Sequence, residues 1–284
     1  MINLENYDEG DGNIGRMGRV KVHDHGIVNL IDVMGTDEDV EHAARISYGE
    51  GTRSVSKTRH LIRYLMRHRH TSPFEMCEVK FYIKLPIFVM RQLVRHRTAN
   101  LNEYSGRYSI MSEDMYIPPD EYIQEQSTVN NQGRGAEIEY KGEVKFEFNR
   151  QYDNALQSYR NLLDNNVARE LARTLLPVGN YTEVIWKIDL HNFLNFCKLR
   201  MDSHAQVEIQ DYAKAMYELV KPYFPICCEA FEDYAINAKT FSAKEMAVIK
   251  DNLNGSWIMS KYGLSERESK EFLEKLRSTD EVTN

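Results

Sequence analysis

Between Glu78 and Lys84 the chain alternates without a break: Val79, Phe81 and Ile83 take every second position, and Lys80, Tyr82 and Lys84 fall between them. A period of two puts the first set on one face of a β-strand and the second set on the other. The segment therefore predicts a strand covered on one side and wetted on the other, and the rest of the chain must supply the cover. Pro86 is well placed to open the next element, because a proline at a first helical turn loses no hydrogen bond. The pattern after it predicts a helix through Arg97.

Other segments fit the same plan. Val20 to Met34 carries short β-branched runs broken by His23-Asp24-His25-Gly26, which predicts a hairpin or two short strands. Tyr181 to Lys187 reads as a strand. Thr36 is a good N-cap, Asp37, Glu38 and Asp39 crowd the first turn after it, and Val40, Ala43, Ala44 and Ile46 supply an apolar face. Ser56 opens a second helix with Leu61, Ile62, Leu65 and Met66 on one side, ending before Ser72-Pro73. Residues 117–135 hold Pro118-Pro119 and many polar side chains and predict a loop. Helices are expected from Ala136 to Asn165, Val167 to Leu176, Asp189 to Arg200 and His204 to Val220. Ser265 and Glu268 form a capping-box pattern before a charged helix that reaches Arg277. Long helices with a few separated strands predict an α+β fold, with the helices packed around a small, mostly antiparallel sheet. Residues 1–18 read as a loose arm, 19–237 as one domain and 238–284 as a peripheral extension.

Composition removes several classes of function. At 284 residues, 42% apolar and 28% charged, the chain can bury a core without metal or disulfide staples. Its net charge of −7 gives no general reason to bind nucleic acid. Leu85 to Met90, the longest clean apolar stretch, is far too short to span a bilayer. Met1 to Gly15 has neither the basic nor the apolar region of a signal peptide. Cys77, Cys197, Cys227 and Cys228 have neither disulfide nor zinc spacing, and read as reduced, buried thiols of a cytoplasmic protein.

Against this acidic background one segment stands out. Between Pro86 and Met111 there are four arginines, Arg91, Arg95, Arg97 and Arg107, and one acid, Glu103. On a helix Arg91 and Arg95 would be neighbours and would repel, which invites an anion. Guanidinium suits phosphate because its planar fork donates two parallel hydrogen bonds. Ser105-Gly106-Arg107 adds a hydroxyl, a close approach to backbone and another fork. The residues alone fit a solvated basic face followed by a turn equally well.

Arg95-His96-Arg97, then seven residues, then Ser105-Gly106-Arg107-Tyr108-Ser109, resembles the signature of the flavin-dependent thymidylate synthases. The resemblance continues in the Ala43-Ala44-Arg45 helix and in His68-x-His70-x-x-Pro73-Phe74-Glu75. It recurs in Leu199-Arg200-Met201-Asp202-Ser203-His204-Ala205-Gln206. These motifs occur in family order across roughly residues 19–237.

The resemblance implies conversion of dUMP to dTMP, with methylenetetrahydrofolate as carbon donor, FAD as hydride carrier and NADPH as reductant. It also implies a homotetramer whose active sites lie between subunits. Arg95, His96 and Arg97 would contact FAD, and Arg95 the nucleotide as well. Gln92, Glu103, Ser105, Gly106 and Arg107 would line the dUMP site, with Glu103 also near FAD, and Arg173 would reach dUMP from a neighbouring subunit. Arg200 would be the catalytic residue, set against the uracil. His70, Ser72, Asp189, His191 and Asn195 would hold FAD. Some members carry Asn-x-Arg where this chain has Asp189-Leu190-His191; others carry Asp-Leu-His, the branch that this chain resembles. That exchange replaces a fixed positive charge with a titratable one.

Part of this stands on the residues themselves. On one helix His191, Asn195, Lys198 and Asp202 share a polar stripe, and Leu190, Leu194, Cys197 and Met201 an apolar one. Arg200 falls beside Phe193 and Phe196, which predicts partial burial and a need for a partner; a packed alkyl stem with its charge in water is the plainer alternative. His68, His70 and His96 lack the recurrent ligands of a metal site. Cys227-Cys228 shows no pairing with a histidine that would make a nucleophile. No Gly-x-Gly-x-x-Gly occurs, so the phosphates of a dinucleotide would fall to arginines and helix ends. The rival reading is an RNA-binding protein using Arg95 to Tyr108 as a basic, aromatic strip.

Overall fold

A computed structural model of the chain describes residues 17–47, 58–128 and 133–244, with 246, 249, 266–268, 270 and 271. Residues 1–16 of the predicted arm, Ser56 and Ser265 lie outside the described residues. The chain falls into two compact units, residues 1–236 and residues 237–284.

The first unit is built on a five-stranded sheet whose pairings are all antiparallel. Its strands are β1 (Arg19–Val22), β2 (Gly26–Met34), β3 (Glu78–Pro86), β4 (Asn100–Glu103) and, much later, a strand at Tyr181–Asp189. That last strand is β7, because a small separate hairpin, β5 (Gln124–Gln126) and β6 (Arg134–Glu137), intervenes. The order across the sheet is β1-β2-β3-β7-β4. The α+β expectation holds, and the alternation in β3 falls as predicted. Val79, Phe81, Ile83 and Leu85 are buried together with Val184, Trp186 and Ile188 of β7, whereas Lys80, Tyr82 and Lys84 are half-buried on the other face. The β1–β2 hairpin turns through His23 at φ 58, and Gly26 follows it under the Tyr212 hydroxyl, which would lie 2.1 Å from any Cβ there.

The helices of this unit are α1 (Asp37–Arg45), α2 (Thr58–Arg67), α3 (Ser72–Glu75), α4 (Ile87–Leu93), α5 (Lys141–Asp164), α6 (Arg169–Ala172), α7 (Leu190–Arg200), α8 (Val207–Val220) and α9 (Pro225–Phe231), of which α4, α7 and α8 pack directly on the sheet. Phe193 and Phe196 of α7 fit against the sheet, with ring centroids 5.7 Å from Phe81 and 5.2 Å from Trp186 respectively. Aromatic pairs of this kind dominate a core's energetics. The N-cap of α1 is as predicted: the Thr36 backbone N–H and hydroxyl both donate to Asp39. Asp37 does more than complement its own helix. It is buried, and its carboxylate accepts from the N–H groups of Ile226 and Cys227 at 2.7 and 3.0 Å, capping α9.

Five expectations are corrected. Ile46 is 86% exposed and does not join the apolar face of α1, because the helix has already ended at Arg45. The helix after Pro86 stops at Leu93, not Arg97, since the chain must turn back for Asn100 to pair with Lys187. Residues 117–135 are not simply a loop; a short 3-10 turn, β5 and the start of β6 lie within them. The long helix starts at Lys141, its expected first turn being taken by β6, and α8 starts at Val207 after the turn that holds His204. In the second unit, residues 266–268, 270 and 271 are helical, and Arg267 Nε donates to Glu271 one turn on.

Candidate active site

In the pairing of β3 with β7, Glu78 stands opposite Asp189 and Pro86 opposite Tyr181. Helix α4 leaves the sheet after Pro86 and α7 leaves it after Asp189, at opposite ends. Both pack on β3 and β7, so they run toward each other and their C-terminal ends meet. There Arg200 Nε donates to His96 Nε2 at 3.0 Å, and Arg200 Nη2 leans toward the Gln92 carbonyl at 3.4 Å. Gln92 Nε2 donates to Gln206 Oε1 at 2.7 Å. The His96 ring stands edge-on to Phe196, centroids 4.9 Å apart. Burial, then the Arg200 charge, push the His96 pKa down to about 4, so at neutral pH the ring is uncharged and Nε2 accepts. Burial, with Arg95 nearby, pulls Arg200 below its usual value. Arg91, Arg95 and Arg97 are exposed and make no ion pair among the described residues. A helix C-terminus carries partial negative charge, and two of them together explain why cations crowd this place.

A second cluster lies past the Glu103 end of β4, the exposed edge strand. Glu103 accepts from the Thr182 hydroxyl at 2.9 Å. Tyr104 N–H bonds the Glu183 carbonyl, and the chain then turns, with the Tyr108 and Ser109 N–H groups donating to the Ser105 carbonyl and the Arg107 N–H to Ser105 Oγ. Gly106 is buried inside this turn; a Cβ there would lie 2.6 Å from Met111 Sδ and 2.9 Å from Arg173 Cδ. Arg173 thus stands beside Ser105-Gly106-Arg107 of its own chain. Helix α6 closes the cluster: Arg107 Nε donates to Glu170 Oε2 at 2.8 Å, and Arg169 Nη1 to the Tyr108 carbonyl at 2.5 Å.

The remaining predicted residues gather at the other end of α7. Asp189 is its N-cap, and its two carboxylate oxygens accept from the Asn192 N–H and side-chain amide at 2.9 and 2.8 Å. His191 is half-buried and Asn195 exposed on the outward stripe. Helix α3, which begins at exposed Ser72, packs on α7. Before it Arg69, at φ 57, ends α2 in the left-handed conformation, and His70 emerges exposed with its ring edge-on to Tyr64 at 5.6 Å. Along α7, Asp189 lies about 16 Å from Arg200, whereas Asn195 lies only about 7.5 Å from it. Gln206, Arg169 and Glu170 had no role assigned from sequence. Arg169 lies one helical turn from Arg173, a spacing that marks it as a neighbour. Among the described residues no group of three His, Cys, Asp or Glu side chains could hold a metal ion.

Fold and site together define an α+β protein that gathers guanidinium groups without ion-pair partners among the described residues. The profile of the thymidylate synthase complementing protein family matches residues 29–226. Flavin-dependent thymidylate synthases from Ehrlichia ruminantium (strain Gardel), Treponema denticola and Dictyostelium discoideum are 48%, 47% and 44% identical. They cover 90%, 92% and 96% of this chain, which covers 87%, 98% and 90% of theirs. The chain belongs to the flavin-dependent thymidylate synthase family. Its fold matches the crystal structure of a UMP/dUMP methylase, PolB from Streptomyces cacaoi bound with 5-Br dUMP, with a TM-score of 0.69. Identity is 32%, over 76% of this chain and 98% of that one.

Proposed function

We propose that this protein methylates dUMP to dTMP, with FAD as hydride carrier, methylenetetrahydrofolate as carbon donor and NADPH as reductant. The observation that carries the reading is the contact of Arg200 with neutral His96 beside three arginines that make no ion pair among the described residues, inside the segment that the family profile covers. His96 takes Arg200 Nε and the Gln92 carbonyl takes Nη2, which leaves Nη1 at that edge to face a ligand. That edge can donate to the uracil ring as negative charge develops on it during methylene transfer, a preorganised stabilisation that needs no cysteine nucleophile. Burial raises the pKa of all four cysteines, which fits that division of labour.

Ser105, Gly106, Arg107 and Arg173 would hold the nucleotide's phosphate, and Gln92, Arg95 and Glu103 the rest of it. Bound FAD supplies the hydride. Its phosphates suit the exposed forks of Arg95 and Arg97, with His96 at their side. The N-terminus of α7 is already capped by the Asp189 carboxylate, so flavin contacts there fall to the side chains of His191 and Asn195, with His70 and Ser72 across from them. The N-terminal end of α7, with Asp189, lies about 16 Å along the helix from Arg200 in one chain, which supports a homotetramer whose sites combine different chains. Residues 19–237 would carry the chemistry and 238–284 a peripheral role. No helix among the described residues is long and apolar enough to cross a membrane, and four free thiols fit the reducing cytoplasm. The test is one spectrum and one assay: purified protein should show flavin absorbance and form dTMP from dUMP. A colourless protein that cannot be reconstituted with FAD, yet binds RNA, would reverse the reading.

A further inference from the structure

Helix α6 and Arg173 just after it present three charged side chains to the Ser105–Ser109 turn, and they do different things. Arg169 holds the Tyr108 carbonyl, and Arg173 packs its stem on Gly106. Glu170 alone brings negative charge, and it places that charge on Arg107 Nε at 2.8 Å. The turn does not need this contact for its shape. It is held by its own Ser105 hydrogen bonds, by Arg169, by the Met111 N–H on the buried Tyr159 hydroxyl, and by the packing of Gly106. Both partners of the Arg107–Glu170 pair are more than half exposed, at 58% and 55%, so water screens the pair and either side chain can swing away.

We infer that Glu170 is a resident counter-ion: it occupies the Arg107 fork while the site is empty and yields it to the 5′-phosphate of the nucleotide. This rests on the dUMP reading above. The Nε donor of Arg107 cannot serve the carboxylate and a phosphate oxygen at full strength together, and two anions on one guanidinium repel. A dianionic phosphate that also reaches Arg173 and the Ser105 turn outcompetes the lone carboxylate, because it gathers several charge-assisted bonds where Glu170 makes one. A weaker anion, held by fewer contacts, does not. Glu170 therefore lowers nucleotide affinity by a small factor, keeps stray anions off the fork, and regains Arg107 each time a nucleotide departs.

The test measures dissociation constants of the flavin-loaded protein for dUMP, for deoxyuridine and for inorganic phosphate in competition. Glu170→Gln, nearly isosteric and exposed, should bind dUMP and inorganic phosphate about two- to fivefold more tightly, the range set by an exposed ion pair. Deoxyuridine affinity should not move. Glu170→Asp, which keeps the charge, should stay close to the parent, and Glu170→Ala should follow Glu170→Gln. In an Arg107→Gln background the gain should vanish. A folded Glu170→Gln or Glu170→Ala protein with unchanged or weaker dUMP binding overturns the inference, as does an equal gain without Arg107 or with deoxyuridine. Failure of the dUMP reading looks different: the parent protein itself would bind no dUMP, or would bind it regardless of Arg107, and the inference would fall with it.

Discussion

Replacing His96 probes the part of the site that aims Arg200. The ring accepts the Arg200 Nε–H at 3.0 Å and packs edge-on against Phe196, so it fixes both the position and the plane of the guanidinium. A hydrogen bond to a charged group is worth about 1.5–3 kcal/mol. If that is lost from the aiming of a transition-state donor, His96→Ala should lower dTMP formation by about ten- to a hundredfold at saturating dUMP. His96→Gln can still offer an acceptor and should recover part of the rate. Activity is normalised to bound flavin, because His96 is also assigned a contact with FAD. Acidity makes the same point from another side. The unfolded ring takes its proton near the ordinary 6.5 and the folded ring only near about 4, so between those values the unfolded state binds more protons. Stability therefore falls as pH drops through that window. The full difference is about 3 kcal/mol, of which about 1–2 survives screening at a partly exposed ring. In His96→Gln this component of acid destabilisation should disappear from urea titrations run between pH 6.5 and 4. A His96→Ala protein with full flavin content and parental turnover would refute the reasoning.

Arg200→Lys should fold, stay yellow and oxidise NADPH, but lose about a hundredfold in dTMP formation, measured in single turnovers, because an ammonium lacks the planar fork. Ser105→Ala should raise the dUMP concentration needed for half-maximal rate yet leave turnover measurable at high dUMP; abolished chemistry with normal dUMP binding would point instead to a nucleophile. Since Arg107 and Arg173 share one cluster within a chain, mixing Arg107→Ala with Arg173→Ala under subunit exchange should restore little activity. Mixing Arg107→Ala with Arg200→Ala should restore some if sites are shared between chains. Asp37→Ala should destabilise the fold by about 1–3 kcal/mol by uncapping α9, read as a lowered urea midpoint.

Local patterns were legible from sequence and distant partnerships were not. The period-two run of β3 and the capping of α1 and α7 need only neighbours along the chain, and they stand where the residues place them. The end of α4 was misplaced because Arg95 and Arg97 are good helix formers; what stops the helix is the pairing of Asn100 with Lys187 across the sheet. The β5–β6 hairpin is polar and short, and it offers no hydrophobic alternation to read. His96 and Arg200 are 104 residues apart and Asp37 and Cys227 190 apart, so no spacing rule connects them. The Arg-His-Arg motif announced itself by charge in an acidic chain. Its geometry came from two helices that start at opposite ends of two paired strands.

Strand β4 has a consequence for how the protein responds to its ligand. It lies at the margin of the sheet, is four residues long, pairs only with β7 and is exposed along its whole length. An edge strand leaves alternate amides without a partner, and such a segment opens at far lower free energy than the core. Yet it carries Glu103 and leads straight into the Ser105–Arg107 turn. The proposed recognition turn is thus mounted on an edge strand, where amide hydrogen exchange is expected to be faster than in the paired strands β3 and β7 on which the Arg200 helix packs. A bound nucleotide should register first as slowed exchange at 100–107, with β3 and β7 unchanged, so occupancy can be followed by mass spectrometry without any chemistry taking place.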